Sequence, residues 1–239
     1  MVIATMIADD LDQFYENISR IGPPTKFSEL KLRSLPQRGV YFFFEEGELR
    51  SGNRLNKRIV RVGTHALRAG SKSTLATRLG QHRGSQRGGN HRGSIFRLLI
   101  GQALLAQSKN ADCPSWGLKG QRRHAATVLG KTSEGLRALE KPIEIRASER
   151  IGGMSVAILE INDEPGKESH RGYVERNAIA LLSEAKRGGL DPPSKNWLGY
   201  SSNRPLVQNS GLWNQNHTTD PVDPQFINQF SALVGPRHD

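Results

Sequence analysis

Two runs decide the fold class: Gly39-Val40-Tyr41-Phe42-Phe43-Phe44, and after a turn, Arg58-Ile59-Val60-Arg61-Val62-Gly63-Thr64-His65. The first is a nearly continuous β-favouring run, which suits a strand buried on both faces. The second alternates charged and apolar residues, the pattern of a strand with one wet face. The link between them is longer than a tight hairpin and leaves antiparallel pairing as the natural arrangement. Working outward, a helix follows to about Gln81, with Ser71 or Ser73 as its expected cap. On it Arg78 and His82 are four apart and share a face. Gly84 to Gly93 holds four glycines with Arg87, His91 and Arg92, and reads as a mobile cationic loop. Ile95 to Gln107 is a second, more apolar helix.

Farther out, Leu11, Phe14, Tyr15 and Ile18 give Asp9–Ile21 a helical apolar stripe, closed by Gly22-Pro23-Pro24. Ser155–Ile161 reads as the third strand. Tyr173–Ala185 is a helix, and a last one carries Phe226, Ile227, Phe230 and Leu233. Ser108–Gly130 is turn-rich, followed by a helix from Ser133 to about Leu139. The expected class is α+β: a small, mostly antiparallel three-stranded sheet flanked by helices. The expected organisation is an N-terminal helix and connector over 1–37 and a core domain over 38–200. An insertion at about 108–152 interrupts that domain, and a tail over 201–239 packs on it.

Across 239 residues the net charge is +11, yet it is concentrated. Between Leu49 and Ala111 stand thirteen Lys and Arg and no Asp or Glu, so the remainder is slightly acidic. A localised basic tract points to a polyanionic partner, whereas a solvated face mixes both signs. The single cysteine, Cys113, excludes a disulfide framework and a Cys-based zinc site. No secretory signal and no apolar run of membrane-spanning length is present, so a soluble, cytoplasmic protein is expected.

Glu175 is the most informative acid. Ala178, Ile179 and Leu182 follow it at three, four and seven positions, which places its carboxylate on the packed face of a helix. A charge there requires a cation, and on periodicity alone a metal and an internal salt bridge are equal readings. Tyr41, Arg78 and His82 taken singly are ordinary core or surface residues; their order along the chain is what carries information.

That order resembles the GIY-YIG nuclease family. Gly39-Val40-Tyr41 looks like its first motif, and Arg61-Val62-Gly63 stands at its second, with arginine in the place of the usual tyrosine. Arg78 matches the helical arginine, His82 the histidine one turn later, and Glu175 the late metal-binding glutamate. His91 stands where some homing and restriction members carry another histidine. The closing asparagine is assigned to Asn196, with Asn203 as fallback. The tail with Trp197-Leu198-Gly199 and Ser210-Gly211-Leu212-Trp213-Asn214 is similar to that of nuclease-like members.

The resemblance implies a metal-dependent DNA endonuclease. Glu175 would hold Mg²⁺ or Mn²⁺, Tyr41 would act as base, Arg78 would clamp the phosphate, and His82 and Arg61 would assist Tyr41. Gly39 and Gly63 would let strands and substrate approach closely. Arg83, Arg87, His91, Arg92 and Arg97, with Arg122-Arg123, would track the DNA backbone. A symmetric double-strand cut would need a homodimer or successive nicks. Two other readings remain beside it: a catalytically inactive nucleic-acid-binding module of the same fold, and an assembly surface for an acidic protein or RNA.

Overall fold

The computed structural model describes residues 2–52, 56–108, 112–186 and 190–236. Helix α1, Val2–Ile21, begins earlier than its apolar stripe and buries Leu11, Phe14, Tyr15 and Ile18. Gly22, at φ 115°, turns the chain where an L side chain would be strained.

The sheet is antiparallel throughout and has four strands, not three, in the order β1-β4-β2-β3. The strands are β1 (Thr25–Lys26), β2 (Gly39–Leu49), β3 (Lys57–Gly63) and β4 (Ser155–Glu160). The extra strand spans two residues, pairing Thr25 with Val156 and Lys26 with Ser155, too short to show any periodicity in sequence.

Alternation along β2 divides the interior. Val40, Phe42 and Phe44 face one core, and Tyr41 and Phe43 the other. Opposite Phe43 lies Arg61 and opposite Phe44 lies Ile59, so Val60 is the extra residue of a β-bulge. Val60 and Tyr41 consequently join the same core. The wet face expected of β3 does not exist: Arg58 and Arg61 are 2% and 5% exposed. Arg58 is matched by Glu48 at 3.0 Å and by the Gly211 carbonyl at 2.8 Å, so its charge is compensated inside the fold.

The remaining helices are α2 (Leu75–Arg83), α3 (Ile95–Gln107), α4 (Arg122–Val128) and α5 (Ser133–Gly153), then α6 (His170–Leu182), α7 (Pro205–Ser210) and α8 (Phe226–Val234). Helices α1, α6 and α8 cover the Phe42 face; α2, α3 and α5 cover the Tyr41 face with Trp197 and Trp213. Thr74, not Ser71 or Ser73, caps α2: its hydroxyl accepts from the Thr77 amide at 3.1 Å. Helix α5 runs on through Pro142, well past Leu139. An interior proline costs about 3 kcal/mol. Burial of Leu136, Ile143, Ala147 and Ile151 offsets that loss.

The free edge of β3 is closed by the tail. The Trp213 amide donates to the Val60 carbonyl at 2.7 Å, and the Asn214 side-chain amide both accepts from and donates to the Val62 backbone. Among the described residues no helix is long and apolar enough to cross a membrane.

Candidate active site

Tyr41 sits where β2 meets β3 and pairs across the sheet with Gly63. A Cβ added to Gly63 would lie 2.4 Å from the Tyr41 hydroxyl oxygen, so the glycine is the space into which the phenol fits. Gly39 serves the backbone instead: its added Cβ would lie 2.5 Å from the Leu159 carbonyl oxygen of β4. The Tyr41 hydroxyl lies 2.8 Å from His82 Nε2, and His82 Nδ1 lies 2.7 Å from the Ser94 hydroxyl. Ser94 is also the α3 cap, accepting from the Arg97 amide at 3.2 Å. His82 is wholly buried, and burial, aided by the nearby Arg61, Arg78 and Arg97, holds its pKa well below the usual value. The imidazole is therefore neutral, able to accept or donate one hydrogen bond at each nitrogen.

The β3 bulge aims Arg61 at the same corner. Its guanidinium donates to the Trp213 carbonyl and lies 4.7 Å from the centre of the Phe96 ring. Burial lowers its pKa, while the adjoining Tyr41 phenol and Glu175 pull the other way. Its Nε is buried with no hydrogen-bond partner among the described residues. Arg78, one helical turn before His82, donates to Gln81 at 3.2 Å and to the Gly93 carbonyl at 3.4 Å.

These two arginines line a cleft of about 350 Å³ together with Glu175, Asn214, Asn216 and His217, with Leu67 and Ile95 at the mouth. Glu175 reaches it from α6. Its carboxylate accepts from the Thr64 amide at 3.1 Å and forms no salt bridge among the described residues. Burial pushes its pKa up; Arg61, the Thr64 amide, His217 and Arg78 only partly counter that. The internal ion pair that was one reading of this residue is thus absent among the described residues.

One carboxylate with no ion-pair partner fits a divalent ion that keeps most of its waters, as Mg²⁺ does. Among the described residues no group of three or more His, Cys, Asp or Glu forms a dedicated metal cage, so water would supply the remaining ligands.

Several lining residues carry no sequence expectation, Asn214 and His217 among them. Asn214 is brought in by the tail's pairing with β3. His217 adopts φ 64°, a left-handed conformation uncommon for histidine, and its Nδ1 lies 2.7 Å from Asp220. The only sequence signal for Asn214 was its place in the Ser210–Asn214 run; for His217 there was none. Asn196 is exposed and does not line this cleft. A larger cleft, about 600 Å³ between Lys26, Arg83, Ser85 and Glu149, contains neither Tyr41 nor Glu175.

The basic segment after α2 requires correction. Arg97 is fully buried and holds Glu144, with Nε at 3.0 Å from the carboxylate. His91 is buried too, giving Glu144 its amide at 2.6 Å and its ring Nδ1 at 2.9 Å. Arg92 grips Glu140 with two nitrogens, at 2.8 and 2.7 Å. Arg83 donates to the Leu30 carbonyl at 2.7 Å. Of the five residues of this segment expected on DNA, Arg87 alone is exposed, and the loop is anchored to α5 instead of mobile. Sequence periodicity carries this helix only to about Leu139, so it gives no sign that Glu140 and Glu144 are the partners.

No curated protein and no solved structure matches the chain. The sequence model of the GIY-YIG domain matches residues 5–238. That span takes in both strands of the Tyr41 corner, the Arg78 helix, Glu175 and the tail that closes the sheet, and the chain belongs to the GIY-YIG domain family.

Proposed function

We propose that the protein is a nuclease that hydrolyses phosphodiester bonds in DNA with the help of a divalent ion, Mg²⁺ or Mn²⁺, at Glu175. The observation that carries this reading is the convergence, at one cleft, of two guanidinium groups and a half-buried carboxylate that has no ion-pair partner among the described residues, with the buried, histidine-bound Tyr41 phenol directly behind Arg61.

Arg78 presents a permanently charged fork for the phosphate oxygens, where negative charge builds as water attacks. Arg61 lines the cleft with Arg78 and adjoins Tyr41, where its charge stabilises negative charge on the phosphate or on the phenol. Tyr41 Oη takes the proton of the attacking water as its own proton passes along its hydrogen bond to Nε2 of His82, which Ser94 holds in place through Nδ1. Glu175 would hold the divalent ion, which when bound neutralises the phosphate and stabilises the leaving oxygen. Asn214 and His217 complete the cleft wall beside it.

Supercoiled-plasmid nicking in Mg²⁺ or Mn²⁺ tests the proposal, with wild type set against Glu175→Gln. Metal-dependent nicking lost in the variant is the expected result. A catalytically silent nucleic-acid-binding module is the second reading, favoured by the complete burial of Tyr41 and by arginine at position 61. DNA binding without cutting under either metal selects it.

A further inference from the structure

A second cleft, about 410 Å³, opens between α5 and the loop that follows α2. Its rim carries Arg87, Arg122, Arg137 and Lys141, and its floor carries Glu140 and Glu144. The floor carboxylates are already committed from beneath. Glu144 is bound by His91 and Arg97, and Glu140 by the two-nitrogen grip of Arg92. Burial alone would raise the Glu144 carboxyl, but the hydrogen bonds from His91 and the charge of Arg97 outweigh it and hold the group ionised.

The rim cations have no such partners. Arg87, Arg137 and Lys141 form no salt bridge among the described residues, and Arg122 touches Glu140 only at 3.8 Å. Arg92 and Arg97 below and the four rim groups above make six cations against two carboxylates, an excess of four positive charges at one opening.

The site is built, not incidental. Arg137 and Lys141 are four apart on α5 and point from one face, adjacent to the stripe that carries Glu140 and Glu144. Gly88 lies at φ 98°, and a Cβ there would come 2.9 Å from the Glu144 side chain. A Cβ on Gly89 would come 2.5 Å from the Arg97 guanidinium. Only glycines let this loop lie flat on the buried ion pair and hold Arg87 at the rim.

The cleft is also tied to the active site. A single 3-10 turn, His91–Gly93, binds Glu144 and Glu140 through its first two residues and accepts Arg78 on its third. One turn of helix advances about 5–6 Å, so the two openings lie within a few nucleotides' span of each other.

We propose that this cleft is a second phosphate-binding site, which takes backbone phosphates of the nucleic acid a few nucleotides from the bond presented at Arg78. It rests on the proposed function for the identity of the strand, but binding is read separately from cutting.

The test is fluorescence anisotropy of a labelled DNA duplex in EDTA, where no cutting occurs, over a range of salt. The full chain is compared with Arg137→Gln/Lys141→Gln, with Arg87→Gln, and with Lys31→Gln/Arg33→Gln as an exposed control elsewhere. Each lost phosphate contact lowers the slope of log Kd against log salt by about 0.9 for duplex DNA. The double variant should lose roughly two units of slope and bind roughly tenfold or more weakly at low salt; Arg87→Gln should lose about one unit. The control should match wild type. An unchanged slope in both test variants overturns the proposal and leaves the rim to an acidic protein partner. A reduced slope in a protein that never nicks plasmid retains this site while discarding the nuclease. Normal nicking with an unchanged slope does the reverse.

Discussion

Glu144 and Glu175 are the same residue type, each in a helix that packs on the sheet or its neighbours, and the fold treats them oppositely. Glu144 receives an amide, an imidazole and a guanidinium, and its carboxyl is held below the ordinary range against the effect of burial. Glu175 receives one backbone amide, and burial drives its carboxyl upward. Partner supply, not burial, separates a structural carboxylate from one free for chemistry. The first fixes the loop after α2 so that Arg78 and Ser94 stand in place; the second faces the cleft that this loop frames.

The comparison breaks hardest on activity. Glu175→Gln should lower plasmid nicking by about 10⁴-fold, the scale of losing an essential catalytic group, with no loss of thermal stability. Glu144→Ala should instead leave the fully buried Arg97 without its counter-charge. Stranding one partner of a buried pair costs about 3–5 kcal/mol, to be read by urea denaturation. Equal losses of stability in the two variants would abolish the distinction between the sites.

How much of this was legible in sequence follows from the same contrast. Local signals sufficed for β2, for Arg78 and His82 on one helix face, and for α3, because their periodicity is written within a few residues. Glu175 on a packed face was legible too, since its neighbours at three, four and seven positions are apolar. What supplies or withholds its partner was not, because the relevant groups stand far away in the chain. Local alternation assigns Arg61 to a wet strand face, because nothing local discloses a bulge or a tail that returns to cover β3. Arg97 and His91 looked like DNA contacts because their partner lies on a helix whose continuation through Pro142 depends on tertiary burial. Asn214 becomes part of the cleft only through long-range pairing with Val62, so sequence order points to Asn196 and gives no sign of Asn214 there.

Ser94 joins the two regions, since its one hydroxyl contacts the His82 ring and caps α3 at Arg97. Ser94→Ala should sharpen the comparison by touching both sides mildly. Loss of a helix cap costs about 1 kcal/mol. Loss of the His82 anchor should lower nicking roughly tenfold, a small part of what general-base catalysis contributes. Both readouts must move; a stability change with normal nicking would show that His82 needs no anchor.

The smallest effect tests the sign of the electrostatics directly. Glu144, with its lowered carboxyl, stabilises the fold above the ordinary glutamate pKa, and that contribution is lost as pH falls through its folded value. Glu175, with its raised carboxyl, runs the other way: its contribution is complete below the ordinary glutamate pKa and is lost as pH rises through its folded value. In metal-free buffer, wild type at neutral pH therefore carries a cost at Glu175, whose carboxyl burial pushes upward, and Glu175→Gln removes that cost. The variant should melt slightly higher than wild type at pH 7, and the difference should shrink as the pH drops below the ordinary carboxylate range. For Glu144→Gln the melting point should lie below wild type at pH 7, with the gap closing only at more acidic pH, beneath the folded value of Glu144. Added Mg²⁺ should raise the melting point of wild type but not of Glu175→Gln, because an ion bound only by the folded state stabilises it by mass action. Parallel pH profiles for the two variants would mean that both carboxylates are compensated alike, and the reading of Glu175 as a carboxylate awaiting its cation would fail.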